Sequence, residues 1–322
     1  MIRVGIIGGA GYTAGELMRI LLGHPEAEIV FVLSSSHAGH PVYHVHRDLL
    51  GECILDFTDT ANFNAVDVIF LCNGHGKSVE FLSKNKVPDR VKIIDLSQDF
   101  RIKNPSHDFV YGLPELNRDS IKRAKHIANP GCFATCIQLA LLPLAASGNL
   151  KDDVHINAVT GSTGSGQAPT STTHFSWRNN NLSVYKPFTH QHLAEIGQSL
   201  KQLQPDFSKD LNFIPVRGNF TRGIFASLYL NCPLALEEAT NLYLEYYKNH
   251  PFVWLTNENP DLKQVVNTNK TIVHLEKHGN KLLIISMTDN LIKGASGQAV
   301  QNMNLMFGLD ETTGLKLKPI AF

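Results

Sequence analysis

The sequence has no surplus of either charge. Its 322 residues hold 29 Lys plus Arg and 29 Asp plus Glu, a formal net charge of zero. A nucleic-acid-binding surface would show a basic excess, so nucleic acid is not an expected partner. No run approaches the ~20 apolar residues of a membrane span, so no membrane partner is expected either. Cysteine is scarce. The five cysteines, at 53, 72, 132, 136 and 232, are odd in number, and Cys132 and Cys136 are four apart rather than in a C-x-x-C spacing. That argues against a disulfide framework and fits a reducing cytoplasm. Met1-Ile2-Arg3-Val4-Gly5-Ile6-Ile7-Gly8 passes straight into a strand-like run without the apolar core or cleavage site of a secretory leader, so a cytoplasmic location is expected. Repeats and low-complexity tracts are missing as well. What remains, 43% hydrophobic and 18% charged residues, describes a globular chain of about two domains.

The first half reads as alternating strands and helices. Arg3 to Ile7 is a short apolar strand, and Gly8-Gly9-Ala10-Gly11-Tyr12-Thr13-Ala14 follows, then a helix through Leu22. Strand, glycine turn and helix are the setting of a dinucleotide fingerprint. Gly8 would allow the tight turn, Gly11 would let a pyrophosphate approach the helix N-terminus, and Ala14 would serve the close-packing position. A plain βα turn would look the same. After the second strand, Glu28 to Leu33, an NAD site would carry Asp or Glu. Ser34-Ser35-Ser36-His37 stands there instead, which suits a 2′-phosphate and predicts NADP(H). Val66 to Cys72, leading into Asn73, and Val91 to Leu96, leading into Ser97-Gln98-Asp99-Phe100-Arg101, read as buried parallel strands. The pattern is an α/β fold with a doubly wound Rossmann-type parallel sheet.

Asn129-Pro130-Gly131-Cys132 reads as a tight turn that sets a cysteine at the start of an apolar helix. Unpaired backbone N–H groups and the helix dipole favour the thiolate there, which makes Cys132 a candidate nucleophile. A small apolar residue closing a buried helix would suit the same place. Beyond it, Val154 to Val159 alternates like a half-exposed strand and runs into Gly161-Ser162-Thr163-Gly164-Ser165-Gly166, a donor-rich loop able to cradle an anion. Tyr185 to Ile196 opens a helix running to about Gln204, with His190 and His192 near its start. Further ligands at metal spacing are not evident, so no metal is expected and the pair reads as an acid–base candidate. Later strand-like runs and a helix over Glu237 to Asn249 predict a second α+β domain of mostly antiparallel sheet. Arg217 and Arg222 flank a glycine-rich loop that suits an anion clamp. A final helix, Ala299 to Phe307, is expected to pack back on the nucleotide domain. The expected boundaries are 1–131 plus 296–322 for the dinucleotide-binding domain and 132–295 for a catalytic and oligomerisation domain.

Taken together, Gly8-x-x-Gly11-Tyr12-Thr13, Asp95-Leu96-Ser97-x-Asp99-Phe100-Arg101, Tyr111-Gly112-Leu113-Pro114-Glu115, Asn129-Pro130-Gly131-Cys132, Gly161-x-x-Gly164-x-Gly166, His190-Gln191-His192-x-x-Glu195-Ile196 and Asn290-Leu291-x-Lys293-Gly294-Ala295-x-Gly297-Gln298-Ala299 resemble the N-acetyl-gamma-glutamyl-phosphate reductase family, within the aspartate-semialdehyde dehydrogenase superfamily. The resemblance implies NADPH-dependent reduction of an acyl phosphate to an aldehyde in arginine biosynthesis, through a thioester on Cys132. It also implies a homodimer or homotetramer built through the second domain. His192 would be the acid–base, with His190 as second choice. Gly8, Gly11, Tyr12, Thr13, Ala14, Ser34, Ser36, Asn73, Gly164 and Ser165 would contact cofactor, and Arg101, Arg217, Arg222 and Ser97 would contact substrate. Val216-Arg217 departs from the family, which more often has histidine and an uncharged residue there. A gained cation would suit an N-succinyl rather than an N-acetyl substrate. Aspartate-semialdehyde dehydrogenase and a non-catalytic NADP-binding sensor are the other readings.

Overall fold

The computed structural model describes residues 1–320. The chain divides into two units, Met1–Gly131 with Ala295–Lys316, and Cys132–Gly294 with the chain end from Leu317. The return to the first unit falls one residue ahead of the expected boundary, and the described residues from Leu317 on group with the second unit rather than the first.

The first unit contains β1 (Ile2–Ile7), α1 (Tyr12–Leu22), β2 (Ala27–Leu33), β3 (Phe57–Thr58), β4 (Val68–Leu71), α2 (Lys77–Lys84), β5 (Lys92–Asp95), β6 (Val110–Tyr111), α3 (Pro114–Arg123) and β7 (His126–Ala128). The sheet runs β3-β2-β1-β4-β5-β7-β6, with every neighbouring pair parallel. The chain winds outward through β2 and β3, then restarts on the other side of β1 at β4. That reversal leaves a crevice outside the carboxyl ends of β1 and β4, where open α/β sheets bind ligands. Val4, Ile6, Ile7 and all of β4 are excluded from water, which is why these strands read as unbroken apolar runs. Helix α3 is not announced by the sequence pattern. It starts with Pro114 at its first position, where proline costs no hydrogen bond, and bends at Asn117. It buries Pro114, Glu115 and Ile121, too short an apolar stripe to announce a helix.

The second unit contains α4 (Cys132–Ala146), β8 (Val154–Thr160), α5 (Phe175–Arg178), β9 (Ser183–Val184), α6 (His192–Leu203), β10 (Leu211–Arg217), β11 (Ile224–Asn231), α7 (Leu236–Tyr247), β12 (Val253–Thr256), β13 (Thr271–His278) and β14 (Lys281–Thr288). Its sheet runs β12-β13-β14-β11-β8-β10-β9. Pairs β12–β13 and β8–β10 are parallel and the rest antiparallel, so the sheet is mixed and mostly antiparallel. Helix α4 is apolar on every side because it is buried on every side, between α6 and strands β11, β13 and β14. Helix α6 begins at His192, not at Tyr185. Lys186 and Phe188 sit at φ of 46° and 58°, a left-handed backbone that no right-handed helix can include. After β14 a π-turn (Ile292–Ser296) leads into α8 (Gly297–Met306), which packs on α1 and α3 of the first unit. Among the described residues no helix is long and apolar enough to cross a membrane.

Candidate active site

In the second unit the site is built on the start of α4. Cys132 is the first residue of that helix and is partly exposed, whereas Phe133 to Ala145 are buried. The first-turn N–H groups of a helix have no partner within it, so their positive ends face the Cys132 side of the turn. Phe133 locks the neighbourhood. Its ring meets those of His190, His192 and Phe213 edge-on, at centroid distances of 5.6, 6.3 and 5.2 Å. Edge-to-face geometry puts ring hydrogens onto the π face and resists rotation. The residue after Cys132 thereby draws both histidines against one ring.

The two histidines are treated differently. The backbone N–H of His192 donates to His190 Nδ1 at 3.2 Å, so the proton of neutral His190 sits on Nε2. Burial drives the His190 pKa down to about 4, helped by the positive charges of Lys186 and Arg217. His190 is thus neutral and held in one tautomer. His192 is also buried, with the carboxylate of Glu195 at 3.8 Å from its Nε2, longer than a hydrogen bond but facing any charge formed on the ring.

Tyr185 completes the group, and no motif singles it out. Its ring meets His190 edge-on at 5.8 Å, and Arg217 lies over its face at 4.5 Å. Burial raises the phenol pKa and the nearby Cys132 sulfur raises it further, while Arg217 pulls it back. Arg178, from the short helix α5, holds Arg217 in place by donating to its carbonyl oxygen at 2.7 Å. The guanidinium Nε of Arg217 is shielded from water and finds no hydrogen-bond partner among the described residues.

Three of the expected substrate contacts make bonds within the protein. Arg222 grips Asp289 with both ends of its fork, Nε to Oδ2 at 3.1 Å and a terminal nitrogen to Oδ1 at 3.3 Å. Arg101, in the first unit, is buried and donates to the carbonyl oxygens of Asn129 and Leu96. Ser97 is buried beside it and donates to Asp95, whose carboxyl is raised in pKa by burial. All three hold loops through these bonds. Arg217 lies over the Tyr185 ring, next to His190.

The expected cofactor residues of the first unit gather at the carboxyl ends of β1, β2 and β4. Gly8 has φ of +79°, and a Cβ there would fall 2.4 Å from Asn73 Oδ1 and 2.9 Å from its backbone nitrogen. Only glycine fits. Gly11, just ahead of α1, has open space, with nothing nearer to a Cβ than the Gly8 carbonyl at 3.9 Å. A pyrophosphate fits there, on the helix N-terminus flanked by Tyr12 and Thr13. Ala14 is fully buried and serves packing rather than contact. At the end of β2 the Ser36 hydroxyl and His37 Nδ1 lie 2.9 Å apart, with Ser34 Oγ at 3.4 Å from both. His46, which no motif marks, supports the turn from behind with Nε2 at 2.8 Å from the Gly9 carbonyl. Gly164 and Ser165 belong to the second unit, on a short 3-10 turn (Ser162–Ser165). Among the described residues no cluster of His, Cys, Asp or Glu is set to hold a metal ion.

Comparison with known proteins agrees with this division. Residues 3–124 match the family model described as semialdehyde dehydrogenase, NAD binding domain, and residues 132–290 match semialdehyde dehydrogenase, dimerisation domain. The former makes a nicotinamide dinucleotide the cofactor class. Full-length relatives include proteins named N-acetyl-gamma-glutamyl-phosphate reductase from Parabacteroides distasonis and Bacteroides fragilis, 63% and 62% identical over 322 residues, with both chains covered completely. One from Flavobacterium johnsoniae is 60% identical over 326 residues. Among solved structures, aspartate semialdehyde dehydrogenase II of Vibrio cholerae superposes with a TM-score of 0.74 at 17% identity, covering 96% of this chain and 98% of that one. At that identity the likeness shows the fold alone.

Proposed function

The chain belongs to the N-acetyl-gamma-glutamyl-phosphate reductase family, and from that premise we propose that it reduces an N-acyl-L-glutamyl 5-phosphate, N-acetyl foremost, to the 5-semialdehyde with release of phosphate, as a step of arginine biosynthesis. One observation carries the reading: His190 and His192 both meet the ring of Phe133, the residue after Cys132, and Tyr185, which meets His190, feels the charge of the Cys132 sulfur. The Cys132 thiolate attacks the acyl carbon, the carbon–oxygen bond to phosphate breaks, and a thioester remains on the sulfur. N–H groups at the start of α4 stabilise the oxyanion. NADPH, when bound, supplies hydride. Its 2′-phosphate suits Ser34, Ser36 and His37, where no carboxylate repels it. His192 moves the proton at the acyl oxygen, and His190, neutral and fixed, orients it. Gly164 and Ser165 are proposed as additional contacts to the cofactor.

Alternate residues along β8 and β11 are exposed or half-exposed, and His155 and Tyr229 stack there at 4.7 Å. That open sheet face, within the span matched by the dimerisation-domain model, suits a second copy in a homodimer or homotetramer. A cytoplasmic setting accords with the free cysteines.

The unpartnered Arg217 Nε favours one second reading, in which the acyl group is succinyl and its carboxylate pairs with Arg217. One assay tests both, following NADPH absorbance with N-acetyl-glutamyl, N-succinyl-glutamyl and aspartyl phosphates. Turnover of an acyl-glutamyl phosphate and not of aspartyl phosphate is expected, and Cys132→Ser should lose ~10³-fold or more while still binding NADPH. A Ser variant with near-normal turnover discards the mechanism. A strong N-acetyl preference that Arg217→Met leaves unchanged ends the succinyl reading.

A further inference from the structure

A π-turn is rare, and here one sits directly behind the nucleophile. The Gly294 N–H donates to the Asp289 carbonyl at 2.8 Å, the five-residue reach that defines the turn. A Cβ on Gly294 would lie 2.9 Å from Cys132 Cβ and 3.2 Å from Cys132 Cα. The backbone of Gly294 is therefore the wall against which Cys132 rests. What holds that wall is the carboxylate of Asp289, which is fully buried. Oδ1 accepts from the N–H groups of Leu291 and Ile292 at 2.7 and 3.0 Å, inside the turn. Oδ2 accepts from the Asn267 N–H at 2.7 Å, and Arg222 closes on both oxygens. The adjacent Asn290 ties in the loops on either side. It accepts from the Gly223 N–H at 2.7 Å and donates to Thr163 Oγ1 at 3.0 Å. A buried carboxylate so fully hydrogen-bonded and ion-paired is rigid, because any shift strands a charge in a dry interior.

We infer that the Asp289–Arg222 pair sets the position of the Cys132 sulfur through the Gly294 wall, making Asp289 and Gly294 positioning residues for thioester formation. The inference rests on Cys132 being the nucleophile.

The test measures kcat, KM, the NADPH dissociation constant, the melting temperature, and the pH midpoint for alkylation of Cys132 by iodoacetamide, read by peptide mass. Gly294→Ala pushes on Cys132 Cβ, which carries the sulfur, and Asp289→Asn releases the turn while keeping its shape. Both variants should lower kcat by roughly 100-fold, the scale of a misplacement of about 1 Å, with KM and NADPH binding within about threefold of wild type. The alkylation midpoint should shift in both. Asp289→Glu, which keeps the charge that Arg222 needs, should recover part of the kcat lost in Asp289→Asn. A merely structural role would lower the melting temperature and leave kcat and the alkylation midpoint of the folded fraction unchanged, and that result overturns the inference. If Gly294→Ala fails to fold, Asp289→Asn decides alone. A Cys132→Ser enzyme that still turns over condemns the proposed function itself, whereas normal kinetics in Gly294→Ala beside an inactive Cys132→Ser condemns only the role of the turn.

Discussion

His190 and His192 stand two positions apart, yet the fold gives them separate tasks. His190 has a folded-state pKa near 4 against an ordinary 6.5, because burial and the cations Lys186 and Arg217 disfavour its charged form. Between pH 6.5 and 4 the unfolded chain therefore binds a proton that the folded chain refuses. Stability falls as pH falls through that window and is flat in this respect above it. His190→Phe, which suits the aromatic surroundings of Phe133 and Phe213, should flatten the decline of melting temperature from pH 6.5 to 4. An unchanged slope by scanning calorimetry would assign the acid sensitivity to other groups. At this scale the sequence was readable where chemistry is local. Cys132 after Pro-Gly stands at a helix start, and His192 of the His-x-His pair opens the later helix α6, as their local sequence suggests. Tyr185 is not readable in this way, since nothing in the order of residues tells that Arg217 will lie over its ring. Nor does a second arginine five positions later reveal that its partner is Asp289, far along the chain.

Helix α1 shows how an element serves the site from its back. Gly15 faces His46, and a Cβ there would fall 2.5 Å from the ring Nδ1. The ring cannot swing away without losing its bond to the Gly9 carbonyl. Gly15→Ala gains helix propensity, worth about 1 kcal/mol, but overpacks a buried contact, a penalty of about 1–3 kcal/mol. The substitution should lower the urea midpoint of unfolding and weaken NADPH binding, and adding His46→Ala should restore part of the stability. A Gly15→Ala protein as stable as wild type would show that the ring moves freely. Strands and long helices were legible because burial imposes a period on them. Helix α3, the late start of α6 and the π-turn were not. Their causes are a short apolar stripe, two left-handed residues and a packed cysteine, which composition does not record.

The two units are assembled from segments out of sequence order. The first needs Ala295–Lys316, and within it α8 is buried along its whole length. Residues 1–131 alone should expose the ground that α8 covers, bind a hydrophobic dye and melt without cooperativity. The Asn129 amide donates to the Ala295 carbonyl at 3.0 Å, so the two cut ends are neighbours. Joining 1–131 to 295–316 by a short linker should yield a cooperatively melting unit that binds NADPH, measured by titration calorimetry. Failure of the joined form beside success of the short one would reverse this account. The change from alternating strands and helices to later, mostly strand-like runs made two units readable in the sequence, whereas nothing in that pattern tells that the described residues from Leu317 on group with the second. The late arrival of α8 has a consequence for synthesis. On the ribosome, the part made first waits for a part made almost last, its apolar strands uncovered while the whole second unit emerges. Such a nascent chain is a natural client for a holdase, and a premature stop before residue 295 would leave an orphan destined for proteolysis.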